Sequence, residues 1–105
     1  MSRQNTKPPV KTISSREAKE KLFEACAAGE LTIGEATRQM RKIVGLTQKE
    51  YAEKVLKIYP RVLMDIEQGR GNPTLATLEK IARPFGLKVG FVRPGEVQRQ
   101  DAGRT

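Results

Sequence analysis

Three times in this chain a hydroxyl residue is followed three positions later by Glu: Ser14 to Glu17, Thr32 to Glu35 and Thr47 to Glu50. In this arrangement the hydroxyl accepts from a first-turn N–H while the Glu accepts from the cap N–H, so donors that a helix start leaves orphaned are satisfied. Three such starts in 105 residues point to a mainly helical fold. Gly29 and Gly45 supply matching stops, because glycine enters the left-handed region cheaply.

The apolar spacing predicts a first helix over about 15–28 with Ala18, Leu22, Phe23 and Cys26 on one stripe. A second, 33–44, turns Ile33, Ala36, Met40 and Ile43 or Val44 inward, and a short third, 48–56, turns Ala52 and Val55 inward. Pro60 fits a first helical position, where its missing N–H costs nothing, and that helix runs to Gln68 before Gly69. Thr74 caps a last helix from Leu75 to about Arg83, with Leu75, Leu78 and Ile81 or Ala82 facing the core, and Pro84 ends it. Beyond it Leu87, Val89 and Phe91 alternate with the period of a strand. A lone strand needs a mate, and this chain shows no other. The economical expectation is that 87–92 pairs antiparallel with its own copy, making a homodimer through Leu87, Val89, Phe91 and Val92.

Composition narrows the function. Lys and Arg number 20 against 12 Asp and Glu, a net charge of +8, and a basic excess of this size favours a polyanionic partner. There is no His, and Cys26 is alone, so zinc sites and most nucleophilic hydrolysis have no side chains to run on. No catalytic residues, no metal and no cofactor are expected. A single Cys rules out an internal disulfide and suits a reducing, cytoplasmic location, and no apolar run approaches a membrane span. The expected organisation is a flexible basic tail over 1–12, one domain over 13–93 and a second flexible tail over 94–105.

The helices at 48–56 and 60–68 are separated by only a few residues, which is helix-turn-helix spacing. At about 100° per residue, Arg61, Met64, Asp65 and Gln68 share one face of the second helix while Leu63 and Ile66 point the other way. One face is for packing and the other for contact. The guanidinium fork of Arg61 matches guanine O6 and N7, and Asp65 offers an acceptor for cytosine N4. The plainer reading is that Arg61 and Asp65, four apart, pair with each other on a solvated face.

The stretch Gly45-Leu46-Thr47-Gln48-Lys49-Glu50-Tyr51-Ala52, followed by Ile66-Glu67-Gln68-Gly69-Arg70-Gly71-Asn72-Pro73-Thr74-Leu75, resembles the lambda-repressor-like, or Xre, helix-turn-helix family. The resemblance covers about 33–93 and implies a helical bundle, here with an extra N-terminal helix and a C-terminal dimer strand. It implies that Gln48 contacts a phosphate and braces the reading helix, and that Pro60, Arg61, Met64 and Asp65 face base edges in the major groove. Arg70 and Asn72, with Lys49, are placed on phosphates, which position the protein without reading sequence. Glu67 is implied to pair structurally with Arg41. Residues 84–91 look most like the tail of antitoxin-type autoregulators, which implies a toxin protein as a further partner. Two departures stand out. Leu56-Lys57 occupies a place where the family has one residue, most often Gly, so the turn is expected to be one residue longer and without its left-handed residue. Tyr59 replaces a Ser-type cap.

The expectation is therefore a homodimeric, sequence-specific repressor of its own or a neighbouring operon, bound to an inverted-repeat DNA operator. The competing reading keeps the fold but gives it a protein partner, and it draws on the zero net charge of residues 46–69.

Overall fold

The computed structural model describes residues 14–93; the segments expected as tails over 1–12 and 94–105 lie outside the described residues. Helix α1 spans Ser15–Ala27, α2 Ile33–Val44, and α3 Gln48–Glu50, which runs on as a π-helical segment, Tyr51–Leu56. Helix α4 spans Pro60–Glu67 and α5 Leu75–Ala82, followed by a 3-10 turn, Arg83–Phe85. All three hydroxyl-to-Glu boxes form. Ser14, Thr32 and Thr47 each accept from the N–H three residues on at 3.1 Å, and each Glu accepts from the cap N–H at 2.9 to 3.3 Å. Thr74 caps α5 by accepting from the Thr77 N–H at 3.1 Å.

These starts set five short helices around one core. Leu22 of α1, Met40 of α2, Tyr51, Ala52 and Leu56 of the third helix, Leu63 and Ile66 of α4 and Ile81 of α5 are buried together. Cys26, Val55, Leu78 and Leu87 pack on its edge. No helix among the described residues is long and apolar enough to cross a membrane.

Two inward assignments are corrected. Ile33 is 53% and Leu75 59% exposed. Each stands directly after its cap, Thr32 or Thr74, and a helical Cβ tilts toward the N-terminus, so the first side chain leans past the packed layer. One residue on, Gly34 is buried instead, with Ala36, Thr37 and Met40 completing a face of mostly small residues. Buried Thr37 satisfies its hydroxyl by donating to the Ile33 carbonyl at 2.7 Å.

The turn between α3 and α4 also differs from expectation, because its left-handed residue is present and is Lys57, at φ 60° and ψ 47°. The extra residue is absorbed by widening the helix before it. Lys57 N–H donates to the Ala52 carbonyl five residues back, and Ile58 N–H donates to the same oxygen at 3.0 Å. A π-helical turn is what one added residue produces when both flanks are held by packing, here by Tyr51, Ala52 and Leu56 against the core.

No strand forms among the described residues. After Gly86, at φ 70°, residues 87–93 carry no regular secondary structure. Leu87, assigned above to the dimer, packs on its own core and donates its N–H to the Ala82 carbonyl at 3.0 Å. Val89, Phe91 and Val92 are exposed, Phe91 fully. A ladder requires a second strand, and the described residues offer none.

Candidate nucleic-acid interface

Helix α4 divides cleanly along its length. Leu63 and Ile66 are buried, while Arg61 presents a side chain 77% exposed, with half-buried Met64 and Asp65 beside it and Gln68 exposed. Pro60 opens the helix, and Tyr59 occupies the cap position with no side-chain hydrogen bond, its ring standing free in solvent. Arg61 Nε lies 3.6 Å from Asp65 Oδ1. The same oxygen accepts from Arg70 Nη2 at 3.3 Å, and the Arg70 N–H donates to the Asp65 carbonyl at 2.7 Å. Arg70 and Asn72 are exposed, and Arg70 ties the start of their loop back to α4. Lys49, also exposed, is 3.3 Å from Glu53.

The other end of α4 is anchored by a buried charge. The Glu67 side chain is 0% exposed and accepts from Arg41 Nε at 2.8 Å, Arg41 Nη2 at 3.0 Å and Gln48 Nε2 at 3.0 Å. Arg41 and Glu67 thus meet in a two-pronged pair, and Gln48 donates one of its two amide N–H groups to brace α4. Arg41 also donates to the Leu46 carbonyl at 3.0 Å, and Arg38 to the Glu67 carbonyl at 3.3 Å. Burial pushes the Glu67 carboxyl up, but hydrogen bonds from Arg41 and Gln48 and the charges of Arg41 and Arg38 outweigh it, so it sits below the ordinary carboxylate value. The hydrogen bond to Glu67 raises Arg41 in turn, against the opposing effect of burial. Tyr51, fully buried nearby, has its phenol pushed up to about 12 by burial and then by the Glu67 charge.

Arg38, Gly34 and Tyr51 were not singled out by sequence reasoning. Arg38 is three residues before Arg41 on one helix face, a spacing that carried the signal. A glycine inside a helix, such as Gly34, is a weak mark of close backbone approach. Among the described residues no group of three or more His, Cys, Asp or Glu is placed to hold a metal ion. Burial raises the pKa of the Cys26 thiol.

A family model described as helix-turn-helix matches residues 38–92, just over half of the chain, and so takes in α4 and the whole of its anchor. The chain belongs to the Xre-like helix-turn-helix family. Relatives fall into differently named groups. The immunity repressor protein of Bacillus phage phi105 is 39% identical over 62 residues, covering 59% of this chain and 42% of the relative. Human endothelial differentiation-related factor 1 is 42% identical over 59 residues, 56% of this chain and 39% of the relative. Multiprotein-bridging factor 1 of Candida albicans is 39% identical over 67 residues, 64% and 44% respectively. The chain spans less than half the length of these curated relatives. No solved structure matches it. The matched segment takes in α3 with its π-helical continuation, the turn and α4.

Proposed function

We propose that this helix-turn-helix chain is a sequence-specific regulator of transcription that binds double-stranded DNA as a homodimer and represses by occupying a promoter. The observation that carries the reading is the division of α4: its apolar half is locked in the core by Leu63, Ile66 and the Glu67 anchor, and Arg61 is left exposed near its N-terminal end. On this reading Pro60, Arg61 and Met64 approach base edges, while Gln48, Lys49, Arg70 and Asn72 meet phosphates. The likeness to a phage immunity repressor supports repression. Exposed Val89, Phe91 and Val92 offer apolar surface that supports contact with a second copy. The antitoxin role, with a toxin as partner, is the narrowest form of the proposal and rests on the resemblance of the tail.

Arg61→Ala should cost about 1–3 kcal/mol on the preferred site and relax preference at one base pair, whereas Arg70→Ala should weaken all duplexes alike and lower the salt slope by about one. Titrations of both variants on specific and random duplexes at several salt concentrations check this. Equal losses on both duplexes for Arg61→Ala would restrict Arg61 to phosphate.

A protein partner is the second reading, favoured by the bridging-factor relatives and by an apolar groove of about 230 Å³ rimmed by Ile33, Val89 and Val92. A protein-binding groove shows a shallow salt dependence. DNA binding falls steeply, by a log–log slope of about −0.9 per phosphate neutralised.

A further inference from the structure

Asp65 stands on the proposed reading face, yet its carboxylate is already occupied. Its Oδ1 is shared by two arginines, Arg61 at 3.6 Å and Arg70 at 3.3 Å. Gly71 passes beside it, close enough that an added Cβ would lie 3.5 Å from Asp65 Cβ and 4.0 Å from Oδ2. The Arg70 N–H is tied to the Asp65 carbonyl besides. An oxygen already claimed by two arginines is less available to a cytosine amine. Resting on the DNA-reading proposal above, we infer that Asp65 is a positioning residue: it aims the Arg61 guanidinium at guanine and ties the Arg70 loop to the reading helix.

The geometry gives the mechanism. The Arg61 atom paired with Asp65 Oδ1 is Nε, at the ion-pair distance of 3.6 Å. A carboxylate beside Nε biases the guanidinium toward Asp65 and makes no claim on the terminal nitrogens, the pair that bridges O6 and N7 of guanine. An exposed arginine otherwise spreads over many rotamers, and the fork gains discrimination by being pre-aligned. The same carboxylate neutralises charge beside the phosphates, so it also restrains non-specific attraction. One group thereby raises preference and lowers indiscriminate affinity.

That combination predicts opposite signs for two measurements. Asp65→Ala removes a partly exposed carboxylate from a helix and replaces it with a strong helix former, so folding is expected to survive. The variant should bind random duplex more tightly than the parent, because a negative charge is gone and Arg70 is released. Its preference for guanine at the position read by Arg61 should fall about tenfold, within the discrimination of one bidentate contact. Arg61→Ala should lose the same preference, and the double variant should lose no more than either alone. The probes are the full chain and its variants, selected against a random duplex library and then titrated on the enriched site and its single-base substitutions.

Retention of the full guanine preference by Asp65→Ala would overturn the positioning role while leaving DNA reading intact. Loss of preference at a different base pair, independent of Arg61, would make Asp65 a reader in its own right and would also overturn it. A parent protein that enriches no sequence would remove the reading on which the inference rests, and the inference with it.

Discussion

Arg41→Ala is expected to remove about 3–5 kcal/mol of folding stability, the range for breaking a buried ion pair by deleting one partner. The Glu67 side chain is wholly buried and Arg41 only 17% exposed, so the deletion strands a carboxylate with only Gln48 and the more distant Arg38 to hold it. A loss of that size is a large share of the roughly 5–15 kcal/mol that holds a domain together. Glu67→Ala should cost less, because Arg41 can swing toward solvent. The double variant should cost less than the sum, since the two residues form one unit. Chemical denaturation of the four proteins checks this, and strictly additive losses would mean the pair contributes nothing jointly.

The same anchor sets an acid limit. Glu67 is held below the ordinary value of 4.5 in the folded chain, so its contribution is complete above that value and is lost as pH falls through the lower folded value. Tyr51 acts at the opposite end. Its phenol is raised from 10.0 to about 12, so its contribution is complete below the lower figure and is lost as pH rises toward the higher. Thermal midpoints measured across acid pH should fall less for Glu67→Gln, relative to its own neutral value, than for the parent.

Gly34→Ala should be destabilising by about 1–3 kcal/mol, the usual cost of overpacking, although alanine in place of a helical glycine ordinarily gains about 1 kcal/mol. A Cβ at Gly34 would collide with the Ile66 carbonyl oxygen and stand 3.2 Å from that of Glu67. Both atoms are backbone of α4, so neither can rotate away, and α2 and α4 must separate. That motion would carry α4 with it, and on the proposed function affinity for specific and random DNA should fall together. A variant as stable as the parent would mean that α4 has room to shift.

How far the sequence could be read follows from the range of each interaction. The three capping boxes and the faces of α4 were legible because they depend on residues three or four apart. Ile33 and Leu75 misled because helical periodicity says nothing about where the neighbouring layer ends. The π-helical segment was hidden for a different reason. Leu56-Lys57 announces an extra residue, but whether it bulges into the turn or widens the helix depends on the packing of Tyr51 and Leu56. The burial of Gly34 reflects contact with a helix some thirty residues away. Arg41 and Glu67 were paired by family resemblance, not by any local pattern.

Selection of the full chain against random duplex DNA at moderate salt tests the central claim most directly. The expected product is an inverted repeat whose half-site centres lie about 10 bp apart, one helical turn, as a two-fold dimer of this motif requires. Recovery of no enriched motif would contradict sequence-specific DNA reading by α4 and leave the protein-partner reading in front.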